Sequence, residues 1–383
     1  MPLEPESLTQ FLDTIRRFVR ERLVPIEGQV AERDEVPPEI IAEMRRLGLF
    51  GLSIPDSYGG LGLSLSEEVQ VLFELCQTSP AFRSVHGTNN GIGSQGIVID
   101  GTEAQKRKYL PGLASGERIS SFALTEPDAG SDAASLRTTA RREGEAWVLN
   151  GTKRYITNAP HAGLFTVMAR TNPAEKGANG ISAFLVEAPN PGLKLGPRDR
   201  KMGQRGAHTC DVIFEECRIP ADALLGGKEN AGFKTAMKVL DRGRIHLAAV
   251  CIGIAERLIR DTVRFARERH QFGQAIGEFQ LVQAMLADSR TEAYAARAMV
   301  EDAARRRDRG ENVSQEAACC KYYASEMLGR VADRAVQIHG GAGYIADYGI
   351  ERFYRDVRLF RLYEGTSQIQ QIVIARGMMR EGA

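Results

Sequence analysis

The stretch Ser120-Ser-Phe-Ala-Leu-Thr-Glu-Pro-Asp-Ala-Gly-Ser-Asp132 divides this sequence, because the apolar spacing differs on its two sides. It opens with four residues, Ser120 to Ala123, that suit a short buried strand, and it continues into a segment whose proline and glycine are typical of turns. The residues before it have the period of helices, whereas those after it form the short runs of a β domain. A boundary between structural units is therefore predicted at about residue 120.

Residues 1–119 are predicted to form an N-terminal helical domain. Apolar residues recur there at helical spacing in two stripes, which consist of Leu8, Phe11, Leu12, Ile15, Phe18 and Val19 and of Val69, Leu72, Phe73 and Cys76. Ser64-Leu-Ser-Glu67, before the second stripe, has the spacing of a capping box. Because each stripe must be covered by neighbouring helices, the pattern favours a helical assembly.

Residues 120–230 are predicted to form a compact β domain, and residues 231–383 a C-terminal helical bundle. Short β-type runs span 146–149, 165–168, 181–186 and 211–214, separated by Gly, Pro and Asn. Helical stripes return after Gly232, and they consist of Leu247, Cys251, Ile254 and Leu258 and of Ala324, Leu328, Val331, Ala335 and Ile338. The predicted fold class is multidomain, with the order helical, β, helical.

The composition excludes several classes of protein. The chain has 383 residues, of which 43% are hydrophobic and 26% charged, so disorder is not expected. A formal net charge of +1 gives no field for binding nucleic acid or an anionic membrane, and no apolar run is long enough to span a bilayer. The acidic N-terminal residues differ from those of a signal peptide, which favours a cytoplasmic and bacterial protein. The six cysteines form no CxxC pair, so no metal site is expected.

Tyr363-Glu364-Gly365-Thr366 places one carboxylate after an apolar run and directly before a predicted helix. The helix is expected to start at Ser367-Gln-Ile-Gln370, which fits a capping box. Apolar surroundings disfavour the charged form of a carboxylate and so make it a stronger base, as proton removal from carbon requires. Glu364 is therefore interpreted as a candidate general base. The alternative is a carboxylate that interacts with the helix dipole.

Gly91-Ile-Gly93-Ser-Gln-Gly96 spells GxGxxG but is not interpreted as a dinucleotide-binding loop. The Rossmann motif follows a buried strand, whereas residues 83–90 are mostly polar and small, and no βαβ pattern surrounds them. Close helix packing is the predicted role of these glycines.

Several ordered motifs resemble those of the acyl-CoA dehydrogenase family almost from end to end. Besides 124–132 and 363–366, they are Pro55-Asp-Ser-Tyr-Gly-Gly60, Asn150-Gly-Thr-Lys-Arg-Tyr-Ile-Thr-Asn158, Met202-Gly-Gln-Arg-Gly206, Arg269-His-Gln-Phe-Gly273 and Gln337-Ile-His-Gly-Gly-Ala-Gly-Tyr344. The resemblance implies a helical domain, a central β-barrel and a C-terminal four-helix bundle, assembled as a homotetramer. It also implies a non-covalent FAD that accepts a hydride while a base removes the α-proton of an acyl-CoA.

The resemblance carries site residues onto this sequence. Glu364 matches the family's base. The positions that match flavin contacts are Phe122, Leu124, Thr125, Ser131, Tyr155, Thr157, Arg269, Gln271, Phe272, Gln280, Gln337, Gly340, Gly341, Thr366 and Gln368, of which those from 269 to 341 act across a subunit boundary. The positions expected beside the substrate are Arg83, Ser84, Ser131, Arg244 and Gly365. Each of these residues, taken alone, also suits an ordinary structural role.

Three positions qualify the resemblance. Tyr155 stands where most relatives have tryptophan, so the packing of the flavin ring and the docking of an electron-transfer partner are open questions. Some branches carry their base at the position of Gly243, which cannot serve, so Glu364 stands alone. Arg83-Ser84 is similar to a pair that binds the terminal carboxylate of the substrate in glutaryl-CoA dehydrogenases. The alternative for Arg83 is an arginine that faces solvent, and for Arg244 a cation on a helix surface.

The predicted function is FAD-dependent dehydrogenation of a short- or medium-chain acyl-CoA to the trans-2-enoyl-CoA, with electrons passed to an electron-transfer flavoprotein. One alternative is a dehydrogenase of a carboxylate-ended acyl-CoA that uses Arg83. Others within the same scaffold are an oxidase, a desulfinase without a base, and a non-catalytic binding protein; the presence of Glu364 argues against the last two.

Overall fold

The computed structural model describes residues 3–381, and its elements confirm the predicted helical, β, helical order. The N-terminal helices pack around a core that includes Ile15, Phe18, Phe50 and Phe82. They are α1 (Pro5–Phe18), α2 (Glu27–Arg33), α3 (Pro38–Arg46), α4 (Leu65–Leu75), α5 (Pro80–Asn90), α6 (Gln95–Asp100) and α7 (Glu103–Ala114).

Helix α4 starts at the capping box that the sequence predicts. The Glu67 N–H donates to Ser64 Oγ, and the Ser64 N–H donates to Glu67 Oε2 at 2.8 Å. The Leu65 and Ser66 N–H groups donate to the carboxylate of Asp308, from a C-terminal helix, at 2.9 and 2.8 Å. A carboxylate at a helix N-terminus satisfies free N–H groups and complements the dipole, so this contact joins the two helical regions.

The central region is one curled seven-stranded sheet in the order β1, β4, β2, β3, β7, β6, with β5 paired to β4. Strands β1 and β4 are parallel, whereas the other extensive pairings are antiparallel. The strands are β1 (Ser120–Ala123), β2 (Thr139–Glu143), β3 (Ala146–Thr157), β4 (Leu164–Arg170), β5 (Ile181–Glu187), β6 (Leu193–Arg198) and β7 (Thr209–Pro220). Strands β3 and β7 are longer than the predicted runs, because polar residues with partners continue their ladder beyond the apolar segments.

Strand β4 is buried on both faces, which places it at the centre of this region. Phe165 and Val167 contact a core inside the sheet, while Leu164 and Met168 contact the helices outside it. One glycine of the motif Gly91–Gly96 is required by packing against β1. A side chain at Gly93 would collide with Ser120 Oγ, so this glycine permits close approach to a strand, not the helix packing that the sequence predicts.

The C-terminal region is a bundle of long helices, and the two stripes predicted there are buried. Its elements are α8 (Gly232–Glu268), the hairpin β8 (His270–Gln271) and β9 (Gln274–Ala275), α9 (Gln280–Asp308), α10 (Ser314–His339), α11 (Gly341–Tyr344), α12 (Ile350–Val357) and α13 (Ser367–Glu381). None of the helices between residues 3 and 381 has an apolar stretch of the length that a membrane crossing requires.

Candidate active site

Glu364 lies in a turn between the 3₁₀ segment Arg358–Arg361 and α13, with a left-handed backbone (φ 52°) followed by another at Gly365 (φ 87°). The left-handed region costs a non-glycine residue on the order of 1 kcal/mol, so its surroundings must hold it there. Gln370 Nε2 donates to the carbonyl oxygens of Glu364 and Gly365 at 3.2 and 3.1 Å. The first turn of α13 therefore fixes the turn that carries the carboxylate.

The capping box predicted at Ser367–Gln370 is wrong, although α13 does begin at Ser367. Thr366 caps the helix instead, because its Oγ1 accepts from the Ile369 N–H at 3.2 Å. Ser367 Oγ donates to Glu326 Oε1 at 2.6 Å. A hydrogen bond to a charged carboxylate is stronger than a neutral one, and this tertiary contact takes Ser367 away from the cap.

Gly243 of α8 leaves the space in which the Glu364 carboxylate lies. A Cβ atom at position 243 would stand 2.6 Å from Glu364 Oε2, and Ile92 borders the same space. Oε2 is buried and has no hydrogen-bond partner within residues 3–381. Buried polar atoms are normally paired, so this orphaned carboxylate oxygen is suited to receive a proton from a bound molecule.

Arg244 is buried and does not lie on the helix surface, but its charge is paired with that of another residue. Its Nη1 donates to Asp241 Oδ1 at 2.6 Å, and Asp241 also accepts from Ser314 Oγ. In the described part of the chain, no ion pair joins Arg244 to Glu364. Arg244 therefore forms its ion pair with Asp241 and not with Glu364.

Arg83 of α5 is partly buried and turned towards α8. Its Nε donates to Nε2 of the buried His246 of α8 at 3.2 Å. Because an arginine can only donate, the neutral imidazole carries its proton on Nδ1, which donates to Glu68 Oε1 at 2.9 Å. Burial and the neighbouring guanidinium of Arg83 both lower the pKa of His246, so the ring is neutral at pH 7.

Glu68 of α4 holds the other end of this chain of hydrogen bonds and is fully buried. Burial alone disfavours its charge, but Arg242 and His246 hold the pKa of Glu68 below its usual range. Arg242 forms an ion pair with the Glu68 carboxylate. Arg83, by contrast, has no carboxylate within ion-pair distance among the residues that the structure describes. Arg83 is thus a guanidinium that is bonded only to a neutral partner.

Two of the predicted flavin-contacting motifs are joined in the β domain. Lys153 Nζ donates to the Leu124 carbonyl at 3.0 Å and to Glu126 Oε1 at 2.8 Å, and both charged side chains are buried. The Arg154 N–H donates to the Thr125 carbonyl at 2.8 Å. Motifs that are about 30 residues apart in sequence therefore form a single surface at the ends of β1 and β3.

The predicted contacts of the flavin ring lie on that surface. Phe122 and Leu124 are mostly buried, Thr125 and Thr157 are half-buried, and Ser131 is exposed. Tyr155 has a left-handed backbone (φ 58°) and a side chain that is 64% exposed. A strained aromatic residue that points its ring outward from a rigid strand offers a flat apolar face for a planar group.

The remaining predicted cofactor residues do not converge on Glu364 within one chain. They lie on the surface at the end of α8, in the β8–β9 hairpin, at the start of α9 and around the α10–α11 junction; they are Arg269, Gln271, Phe272, Gln280, Gln337, Gly340 and Gly341, together with Gln368 of α13. Phe272 is 95% exposed. Thr366, whose hydroxyl caps α13, and Gly365 adjoin Glu364, and Ser84 is buried, with its hydroxyl bonded to the Pro80 carbonyl at 3.1 Å.

Sequence reasoning missed Lys321, His246, Glu68 and the Lys153–Glu126 pair. A signal exists for Lys321, because it interrupts the apolar face of α10 at the spacing of Ala317, Ala324 and Leu328. Lys153 and Glu126 belong to motifs that the sequence singles out, but no pattern shows that they pair. Among residues 3–381, no three His, Cys, Asp or Glu side chains are arranged to hold a metal ion.

Comparison with known proteins identifies the family of this chain. The acyl-CoA dehydrogenase N-terminal, middle and C-terminal domain families match residues 5–117, 121–217 and 230–379. Among curated proteins, the acryloyl-CoA reductase (NADH) of Anaerotignum propionicum is 43% identical, over 98% of this chain and 96% of the relative. The acyl-CoA dehydrogenase of Bacillus subtilis is 40% identical over 95% and 96%. CarC, a subunit of the caffeyl-CoA reductase–Etf complex of Acetobacterium woodii, is 40% identical over 94% and 95%.

Solved structures show the same similarity over the whole chain. Butyryl-CoA dehydrogenase from Megasphaera elsdenii superposes with a TM-score of 0.94 at 34% identity, over 99% of both chains. A glutaryl-CoA dehydrogenase in complex with glutaryl-CoA gives 0.92 at 33%, over 99% of this chain and 96% of the other. PigA, solved with FAD and proline, gives 0.94 at 28%, over 99% of both. With the site geometry described above, these similarities show that the chain belongs to the acyl-CoA dehydrogenase family of oxidoreductases.

Proposed function

We propose that this protein catalyses the α,β-dehydrogenation of a short- or medium-chain acyl-CoA to the trans-2-enoyl-CoA, with FAD as cofactor and Glu364 as the base. The observation that carries the proposal is the Glu364 carboxylate, with an orphaned, buried Oε2 in the space that Gly243 leaves. Butyryl-CoA dehydrogenase, which shares this fold, supports the substrate class.

In the proposed reaction, Glu364 removes the α-proton of the thioester and holds it on its carboxyl group. The left-handed turn and Gln370 orient the carboxylate, and the buried wall around Gly243 excludes water. FAD, when bound, supplies the hydride acceptor that amino-acid side chains lack. Tyr155 would hold its ring, while Phe122, Leu124, Thr125, Ser131 and Thr157 would line the rest of the ring site.

The exposed ring of Tyr155, which is carried by a left-handed backbone, supports the fit of a planar cofactor at this place. Its backbone is fixed, because the neighbouring Arg154 N–H is bonded to the Thr125 carbonyl and Lys153 is clamped by Glu126. PigA, a structural relative with FAD bound, supports the choice of cofactor.

The test is flavin reduction by butyryl-CoA, followed as the loss of flavin absorbance in a stopped-flow experiment. Because a positioned base contributes about 100-fold or more, Glu364→Gln is expected to lower the rate by at least that factor while the flavin content stays unchanged. Glu351→Gln, which removes a carboxylate paired with Arg355 on α12, is the control and is expected to keep the wild-type rate. Bleaching of Glu364→Gln at the wild-type rate would overturn the base assignment.

The proposed electron acceptor is an electron-transfer flavoprotein. CarC belongs to a reductase–Etf complex and is 40% identical to this chain, which supports the proposal. Turnover of butyryl-CoA is expected with an electron-transfer flavoprotein or a dye but not with oxygen alone. Equal turnover with oxygen alone would identify an oxidase, and a purified protein without flavin absorbance would favour a non-catalytic role.

A second candidate substrate is an acyl-CoA that ends in a carboxylate, and the position of Arg83 favours it. Removing a guanidinium from water without an anionic partner is costly, and the partly buried Arg83 has only the neutral His246 as acceptor. Its terminal nitrogens are free of partners among the described residues, so they could bind a carboxylate in the bidentate manner. The glutaryl-CoA dehydrogenase with bound glutaryl-CoA has the same fold and supports this candidate.

Turnover of glutaryl-CoA and butyryl-CoA by the wild type, Arg83→Ala and Arg83→Lys distinguishes the two substrates. If Arg83 binds the distal carboxylate, Arg83→Ala is expected to lower kcat/KM for glutaryl-CoA by about 100-fold or more and to spare butyryl-CoA. Arg83→Lys keeps the positive charge but not the bidentate geometry of the guanidinium. Its kcat/KM for glutaryl-CoA is therefore expected to lie between the values of the wild type and Arg83→Ala. An equal loss on both substrates, or no loss on either, would rule out the carboxylate-ended substrate.

A further inference from the structure

Lys321 of α10 is a fully buried cation that the proposed reaction does not yet use. Its Nζ donates to the Gly365 carbonyl at 2.6 Å, and this is its hydrogen-bond partner within the described chain. No carboxylate between residues 3 and 381 lies within ion-pair distance of it. Lys153, the other fully buried lysine, is paired with Glu126 at 2.8 Å. Because burial of an unpaired ammonium is costly in free energy, the position of Lys321 next to the turn of Glu364 and Gly365 needs a physical explanation.

The first explanation is that Lys321 helps to hold the backbone of this turn. Glu364 and Gly365 have consecutive left-handed conformations, and their carbonyl groups are the acceptors for Gln370 and Lys321. The two side chains approach from α13 and α10, so the turn is held from two helices. Such a strained conformation persists when its surroundings over-determine it.

The second explanation is that the charge of Lys321 acts on Glu364, as the charged groups around Lys321 indicate. The groups that face its ammonium are Cys251 and Arg244 of α8, Glu326 of its own helix and Glu364 of the turn. The charge of Glu326 is already paired with Arg361, and its other oxygen accepts from Ser367. Arg244 is paired with Asp241. Glu364 is thus the carboxylate in this set that no cation neutralises at close range.

We propose that Lys321 is a positioning residue for Glu364, which fixes the left-handed turn through the Gly365 carbonyl and favours the ionised carboxylate through its charge. The inference rests on the proposed role of Glu364 as base. Burial lowers the pKa of Lys321 to about 8, so the ammonium is the dominant form at neutral pH and is lost above it.

The test separates proton removal from hydride transfer by using acetyl-CoA, which has α-protons but no β-carbon. Exchange of its α-protons with D₂O by the holoenzyme is followed by mass spectrometry across a range of pD. The wild type is expected to exchange them, and Glu364→Gln is expected to abolish the exchange.

The acid limb is the part of the plot of exchange rate against pD in which the rate rises with pD. Removal of the Lys321 charge is expected to move this limb to higher pD by about one unit, because a nearby cation favours the charged carboxylate. Lys321→Met and Lys321→Gln are both expected to show the shift, whereas Lys321→Arg keeps the wild-type limb. Gln370→Met removes the neutral clamp of the same turn, so it is expected to lower the rate at every pD without moving the limb. Arg330→Gln, on the exposed side of α10, is the control with an unchanged profile.

Superimposable limbs for the wild type, Lys321→Met and Lys321→Gln would overturn the inference, as would an equal shift in Gln370→Met. If neither neutral variant folds, Lys321→Arg decides, because it keeps the charge and is expected to keep the wild-type limb. A limb at higher pD in Lys321→Arg would contradict the proposal. Absence of exchange in the wild type would refute the role of Glu364 itself, which distinguishes failure of the proposed function from failure of this inference.

Discussion

Gly243 shows how the absence of a side chain leaves space for the proposed base, Glu364. A methyl group at this position would stand 2.6 Å from Glu364 Oε2, closer than unbonded atoms approach. The carboxylate end would have to move, and a displacement of about 1 Å in a catalytic group costs on the order of 100-fold in rate. Gly243→Ala is therefore expected to lower kcat/KM for butyryl-CoA by about that factor, with little change in the melting temperature.

The matched control for Gly243→Ala is Gly112→Ala on α7. A Cβ atom there meets Arg118 Cβ at 3.6 Å, an ordinary contact, so the variant is expected to keep its activity and to be slightly more stable. Wild-type activity in Gly243→Ala would contradict the assigned position of the carboxylate.

The Lys153–Glu126 pair joins the loop after β1 to strand β3. Burial lowers the pKa of Lys153 to about 8 although Glu126 favours its charge. Removal of one partner leaves the other charge buried and unpaired, which costs about 3 kcal/mol or more. Lys153→Met is expected to reduce the free energy of unfolding in urea by that amount and to weaken flavin retention, because the pair holds both flavin motifs.

The double variant Lys153→Met with Glu126→Gln is expected to recover part of this loss, since no unpaired charge remains. Lys194→Met is the control, because Lys194 and Glu215 form an exposed pair on β6 and β7 and such pairs contribute less than about 1 kcal/mol. Equal losses in Lys153→Met and Lys194→Met would show that burial of the first pair has no energetic consequence.

Stability of the whole molecule is expected to depend on pH through His86 and Asp356, with opposite signs. Burial, and after it the charge of Arg83, lowers the pKa of His86 from 6.5 to about 3. The unfolded chain therefore binds a proton at His86 below pH 6.5 while the folded protein does not, so the free energy of unfolding falls as the pH falls. At pH 5 this loss amounts to about 2 kcal/mol.

His86→Gln is expected to remove that loss between pH 7.5 and 5.0 in urea unfolding. Burial raises the pKa of Asp356 from 3.8 to about 6, so here the folded protein binds the proton first and gains stability as the pH falls from 6 towards 4. Asp356→Asn is the control of opposite sign. Its free energy of unfolding is expected to fall more steeply than that of the wild type as the pH decreases. Parallel curves for the wild type and His86→Gln would contradict the buried, neutral state of His86.

The exposed apolar residues of the C-terminal region support assembly of several copies. Phe272, Leu281 and Tyr344 are 95%, 81% and 84% exposed, and they lie near the predicted cofactor residues that do not reach Glu364 within one chain. Patches of this kind mark interfaces. Phe272→Ser is therefore expected to lower the mass measured by sedimentation below that of the predicted tetramer and to lower flavin content. Leu195→Ser, at a 44% exposed position of β6, is expected to change neither, and an unchanged mass in Phe272→Ser would exclude that residue from the interface.

The amino-acid sequence determined the order of the elements and the buried faces of α4, α8 and α10, because apolar periodicity is a local property of the chain. It also singled out Glu364 as the candidate base, since the apolar run and the helix start that frame it are adjacent in sequence. The capping box at Ser64 was predictable for the same reason, as its two partners are three residues apart.

Only the tertiary structure decided which groups surround that carboxylate. The Lys321–Gly365, Arg83–His246 and Glu68–His246 hydrogen bonds join residues that are 44, 163 and 178 positions apart. The same applies to Ser367, whose contact with Glu326 across 41 positions displaced the expected cap. Contacts at such separations depend on how whole helices pack, and burial then makes each charge interaction strong enough to override a local preference.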